Sequence, residues 1–155
     1  MPERLPYHWE NLQSQDWVQA LKGVPQDPVY HAEGDVWIHT GMVVEALESL
    51  AGYQSLSPEE QAELYLATAL HDIAKPICTR EEDGRIISPR HALKGRLLSR
   101  QTLYTAPPIS ITFAQREHIG HLVRYHGLPL WILEKQDPRM EILKASQLCK
   151  KSDAT

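Results

Sequence analysis

The sequence predicts an all-α fold. Apolar residues recur at helical spacing along most of the chain, strand-like alternation is almost absent, and N-cap signals stand ahead of the apolar stretches. Six or seven helices with short connections account for the 155 residues, a length that suits one domain with a real core.

The elements follow in order. An apolar-periodic stretch predicts a first helix over about 10–22, closed by the proline-rich run Val24-Pro25-Gln26-Asp27-Pro28. Asp35 is the expected N-cap of a second helix over about 36–51, with Gly52 as its stop. Ser57-Pro58-Glu59-Glu60 combines an N-cap, a proline at the first helical position and a capping-box glutamate. The third helix it opens runs to about 74, where Pro76 limits continuation. Residues 77–87 suit a small hairpin turning at Asp83-Gly84. Ser88-Pro89 repeats the cap-plus-proline signal ahead of a fourth helix carrying His91. Thr112-Phe113-Ala114-Gln115 is a capping box for a fifth helix to about 126, which Gly127 ends. Pro129 opens a short sixth segment, and Asp137-Pro138 opens a last helix to about 150.

Composition narrows the function classes. Hydrophobic residues at 42% and charged residues at 23% are ordinary for a soluble globular protein. A formal net charge of −4 supplies no global basic field to draw the protein to nucleic acid. Two cysteines, Cys78 and Cys149, are too few for a disulfide scaffold or a Cys-rich zinc site and suit a reducing compartment. No apolar run approaches the ~18 residues of a membrane span and the N-terminus carries no secretory core, so the expected location is the cytoplasm. The compositional excess is histidine, of which there are eight.

Helical periodicity sorts these histidines. His39 shares its face with Met42, Val43, Ala46 and Leu50; His71 with Leu64, Ala67 and Ala74; His126 with Ile119, Leu122 and Val123. His91 lies on a weaker stripe of Gly95, Leu98 and Thr102. His121 points about 160° from the apolar stripe of its helix and reads as a surface residue, while His118 flanks that stripe. Any one inward ring taken alone reads as a core imidazole bonded to a carbonyl. Four of them, each costing on the order of 1–3 kcal/mol if left unsatisfied, call for a common partner. A metal satisfies neutral imidazoles together. Asp72 adds a negative charge at the negative end of its helix dipole, which also favours a cation there.

His39, the run Ala69-Leu70-His71-Asp72-Ile73-Ala74-Lys75-Pro76, His91 and Arg124-Tyr125-His126-Gly127 together resemble the HD phosphohydrolase superfamily. The wording His31-Ala32-Glu33-Gly34-Asp35-Val36-Trp37-Ile38-His39-Thr40 resembles HD domains attached to CCA-adding tRNA nucleotidyltransferases and HD domains fused to polynucleotide-kinase-like ATPases. Val123-Arg124-Tyr125-His126-Gly127-Leu128-Pro129 is similar to the second group. The resemblance covers about residues 28–148 and implies a single HD domain over 1–155.

It implies His39, His71 and Asp72 as ligands of a first metal, with His91 and His126 holding a second and Asp72, the catalytic carboxylate, bridging the two. One or two divalent ions are expected, and imidazole–carboxylate ligation suits Mn, Fe, Co, Ni or Zn. The superfamily's closing Asp has no counterpart in the usual Ala-Asp context. After His126 the acidic residues are Glu134, Asp137, Glu141 and Asp153, and of these Glu141 lies inside the last helix and can turn inward. The C-terminus therefore has two readings, the end of a short natural protein and a truncation ahead of the closing ligand. Lys75 has two readings, a cation that meets a substrate phosphate and a helix-end charge. Arg80, Arg85 and Arg90 likewise read as a solvated charged loop or a phosphate-facing one.

The resemblance implies hydrolysis of phosphomonoesters or phosphodiesters, with nucleotides or RNA ends, including 2',3'-cyclic phosphates, as the substrate class. A fused or separate kinase or nucleotidyltransferase is the implied partner. No sequence feature specifies an oligomeric state. The competing expectation is a non-catalytic or incomplete HD module that binds or guides a partner's substrate.

Overall fold

The computed structural model describes residues 7–105 and 110–150. Among them the chain is all-α apart from one two-stranded hairpin, as the periodicity predicts.

The expected first helix is broken in two: α1 (Trp9–Leu12) and α2 (Asp16–Gln19) flank a turn at 13–15. Helix α3 (Val36–Ser49) begins at the predicted cap, where Asp35 Oδ1 accepts the Ile38 N–H at 2.9 Å. The other Asp35 oxygen accepts from Gly23 N at 2.7 Å and ties the preceding loop to the helix start. Leu50 turns extended, and α4 (Ala51–Gln54) takes Gly52 into its interior, so Gly52 is not the stop.

The Ser57 capping box forms as read: Ser57 N donates to Glu60 Oε2 at 3.0 Å and Glu60 N to Ser57 Oγ at 3.3 Å. Helix α5 (Pro58–Leu70) ends earlier than the expected 74, with His71 as its C-cap and a turn over 71–74. Pro76 then lies in the first turn of α6 (Lys75–Cys78), where its missing N–H has no intrahelical partner to lose.

The hairpin pairs β1 (Arg80–Glu82) with β2 (Arg85–Ile87), Arg80 opposite Ile87. Asp83 and Gly84 both have positive φ (51° and 74°), the geometry of a two-residue turn matched to strand twist. Ser88 does not cap the next helix. Its hydroxyl is engaged by Thr79 Oγ1 at 2.7 Å, and α7 (His91–Thr105) starts after Arg90, which sits in the left-handed region at φ 60°.

Thr112 caps α8 (Phe113–Tyr125) with its capping box intact. Helix α9 (Leu128–Trp131), a 3-10 turn (Ile132–Glu134) and α10 (Arg139–Cys149) follow. Helix α5 lies at the centre, packed against α3 and α8, and α8 packs in turn against α7 and α10. Tyr65, Leu66, Leu70, Ile119 and Val123 are fully buried there. Gly95 lets α7 approach closely: a Cβ at this position would lie 3.2 Å from Val123 Cγ1. No helix of the described residues is long and apolar enough to cross a membrane.

Candidate metal centre

The end of α5 builds the site. The last carbonyls of a helix have no intrahelical donor, and two histidines use them. His71, at the C-cap of α5, donates Nδ1–H to Thr68 O at 2.6 Å, and His126, at the C-cap of α8, donates to Val123 O at 2.8 Å. His91 at the start of α7 donates Nδ1–H to Ser88 O at 2.8 Å. His39 in α3 is held at Nδ1 by Glu33. With Nδ1 as donor, the neutral ring keeps its lone pair on Nε2.

All four Nε2 atoms converge on Asp72. Its side chain is 2% exposed. Oδ2 lies 3.2 Å from His71 Nε2 and 3.9 Å from His39 Nε2; Oδ1 lies 3.4 Å from His91 Nε2 and 3.8 Å from His126 Nε2. Each carboxylate oxygen thus faces its own pair of imidazoles. Oδ1 is buried and has no hydrogen-bond donor among the described residues. An orphaned anionic oxygen facing imidazole lone pairs fits a divalent cation. Within the described residues, His39–His71–Asp72 and Asp72–His91–His126 each keep their ligand atoms within 4.8 Å of one another, and so does His31–Glu33–His39.

The electrostatics keep three of the imidazoles and the Asp72 carboxylate ready to ligate, and favour the proton on His71. Burial pushes His39, His91 and His126 below the usual imidazole range, His126 to about 4, so they are neutral near pH 7. Burial also opposes ionisation of Asp72, but His71 and Lys75 outweigh it and hold the carboxyl well below its ordinary range. For His71 burial is outweighed by Asp72 and by the Thr68 carbonyl, which raise it.

Lys75 is buried. Its ammonium lies 2.9 Å from Asp72 Oδ2 and donates to Gln26 Oε1 at 2.7 Å, and Gln26 Nε2 in turn donates to the Asp35 carbonyl at 3.4 Å. The proline-rich loop therefore reaches the floor of the site through Gln26, a contact with no periodic signature. His31 and Glu33 were equally invisible to periodicity, because they lie in a loop; the available signal was a carboxylate close ahead of His39.

The centre opens into a cavity of about 610 Å³, whose walls include Lys75, Arg124, Tyr125, Leu130, Trp131, Glu141 and Lys144. Glu141 does line the cavity from α10, but its carboxylate pairs with Lys135 and joins none of the three ligand groups. Asp153 lies outside the described residues. Arg80 pairs with Glu82 and Arg85 with Asp27, both away from the cavity lining, in keeping with a solvated loop. His121 departs from its surface reading: it is half-buried, and its Nδ1 is shielded from solvent.

Comparison with known proteins gives the family of the chain. The chain is 35% identical over 74 residues to the Multifunctional CCA protein of Halorhodospira halophila (strain DSM 244 / SL1). That match takes in 48% of this chain and 15% of the relative, so the chain spans a small part of the curated protein it resembles. No solved structure matches it. The family model for the HD domain matches residues 36–155, from the first residue of α3 onward and across all five histidine and aspartate side chains of the centre. The chain belongs to the HD domain family, a superfamily of metal-dependent phosphohydrolases.

Proposed function

We propose that this protein is a divalent-metal-dependent phosphohydrolase, a phosphomonoesterase or phosphodiesterase acting on nucleotides or RNA ends. The observation that carries the reading is Asp72: one buried carboxylate with each oxygen facing two imidazole Nε2 atoms. His39, His71 and Asp72 would hold one ion and His91 and His126 a second, with Asp72 between them. The donor set suits Mn, Fe, Co, Ni or Zn. A divalent ion there supplies Lewis acidity, acidifying water toward neutral pH and polarising a phosphoryl oxygen.

The chain's own residues do the rest. Asp72 stays ionised and offers both oxygens to cations. Lys75 has three donors and two acceptors already, Asp72 and Gln26, which leaves one N–H for a substrate phosphate at the floor. Arg124 and Lys144 on the cavity wall add positive charge for an anionic substrate, and Tyr125 and Trp131 offer aromatic surface for a base. We take the chain as one HD domain working in the cytoplasm, with a nucleotidyltransferase or kinase, fused or separate, as its partner. The match to a Multifunctional CCA protein supports the former.

One observation favours a non-catalytic HD module instead: Glu141 is turned to Lys135 and brings no further carboxylate to the cluster. Metal analysis and hydrolysis assays with added Mn, Co or Ni on nucleoside monophosphates and 2',3'-cyclic nucleotides separate the readings. The hydrolase reading expects bound metal and turnover that both His71→Ala and Asp72→Ala abolish. No metal, or turnover indifferent to both changes, sinks it.

A further inference from the structure

Three of the four converging imidazoles are tethered in the same way, by the carbonyl three residues earlier: His71 to Thr68, His91 to Ser88, His126 to Val123. His39 departs from this. It sits within α3, and the carbonyl three residues before it, Val36 O, is already taken by the Thr40 hydroxyl at 2.7 Å. As the first residue of α3, Val36 also has its carbonyl committed to the helix ladder. His39 therefore needs an outside partner for Nδ1, and Glu33 supplies one.

The loop geometry delivers that carboxylate. Gly34 has φ 122°, a conformation side chains rarely adopt, and a Cβ there would lie 3.2 Å from Ile38 Cδ1. The chain folds back at Gly34 and lays Glu33 over the first turn of α3. Glu33 Oε1 accepts from His39 Nδ1 and also lies 3.3 Å from His31 Nδ1, and the His31 and His39 rings meet edge to face at 4.6 Å. His31 thus gives the same carboxylate oxygen a second contact and packs against the ring it positions.

We infer that Glu33 is a positioning residue: its carboxylate fixes the tautomer and aim of His39, and His31 holds Glu33 in place. The inference deepens the metal-site reading proposed above and rests on it. A carboxylate behind a ligating imidazole raises its basicity and locks its orientation, and losing such a partner commonly weakens metal binding 10–100-fold. The loss should be confined to the ion shared by His39, His71 and Asp72, because the other pair of imidazoles is tethered to main chain. Glu33→Gln keeps an oxygen that accepts from Nδ1, so it should retain part of what Glu33→Ala loses.

Two measurements test this. In metal-free protein, nitrogen–proton NMR of the imidazoles should show His39 protonated at Nδ1 in wild type and lose that state in Glu33→Ala, with partial recovery in Glu33→Gln. In Mn²⁺ titrations, Glu33→Ala should weaken one of two binding steps roughly 10–100-fold and leave the other unchanged. An unchanged His39 tautomer, or equal weakening of both steps, overturns the inference. Wild-type protein that binds no Mn²⁺ yet keeps a Glu33-dependent His39 tautomer removes the metal reading and upholds Glu33 as the residue that positions His39.

Discussion

The Nε2 atoms of His91 and His126 lie 3.3 Å apart, and each ring spends its Nδ1–H on a backbone carbonyl. In the neutral rings two lone pairs therefore face each other, with Asp72 Oδ1 beside them at 3.4 and 3.8 Å. Such an arrangement is repulsive until a cation enters it. A single His126→Ala change should accordingly remove one of two bound ions and leave the His39–His71–Asp72 ion in place. Metal stoichiometry by mass spectrometry checks this; loss of both ions, or of neither, counts against two independent pairs.

Acid should reach the site through His126. Burial and the neighbouring His71 lower its folded pKa to about 4, against about 6.5 for an unperturbed ring. A lowered folded pKa means the unfolded chain binds the proton first. The stability it contributes is complete above pH 6.5 and is lost as pH falls toward 4. The upper limit is roughly 3 kcal/mol at 1.36 kcal/mol per unit. His39 and His91 are shifted in the same sense, whereas His71 is shifted up and works against them. Urea denaturation of metal-free protein at pH 7 and pH 4.5 should show a smaller acid loss in His126→Asn than in wild type. Equal losses would mean the ring is not held neutral.

What was legible in the sequence was local. The Ser57 and Thr112 capping boxes and the Asp83-Gly84 turn each depend on residues a few positions apart, and each stands where the sequence places it. The turn at 71–74 was hidden because the apolar run continues through Ile73 and Ala74, so periodicity carried the helix past its true end. That turn lets Asp72 swing both oxygens into the centre. Gln26, His31 and Glu33 reach the site from loops, where no period marks an inward face. His121 misled the helical wheel because α8 is packed by α5, α7 and α10, so more than one of its faces is covered.

Asp72 and Lys75 form a buried pair at 2.9 Å, so changing one strands the other. Asp72→Asn removes the charge that holds the Lys75 ammonium in place, and breaking a buried pair typically costs about 3–5 kcal/mol. The double change Asp72→Asn with Lys75→Met should recover much of that loss without restoring metal binding. Thermal melts and metal analysis of the three variants separate the two roles of Asp72. Additive losses in stability would show that the pair is not coupled.

His118 ties the last helix to the core at a distance from the centre. Its Nδ1 pairs with Glu63 on α5, and its Nε2–H donates to the Cys149 carbonyl at the end of α10 at 3.0 Å. Helix α10 also carries Glu141 and Lys144 into the cavity wall. His118→Phe keeps a ring of similar shape and deletes both polar links, a change expected to cost about 1–3 kcal/mol. Because the tie is to α10, its amides should exchange with solvent faster while those of α5 stay protected. Metal binding by His39, His71 and Asp72 should be untouched, since α10 brings no atom to that group. Hydrogen exchange followed helix by helix decides the matter: uniform acceleration across α5 and α10 would show that His118 supports the whole core rather than the docking of α10.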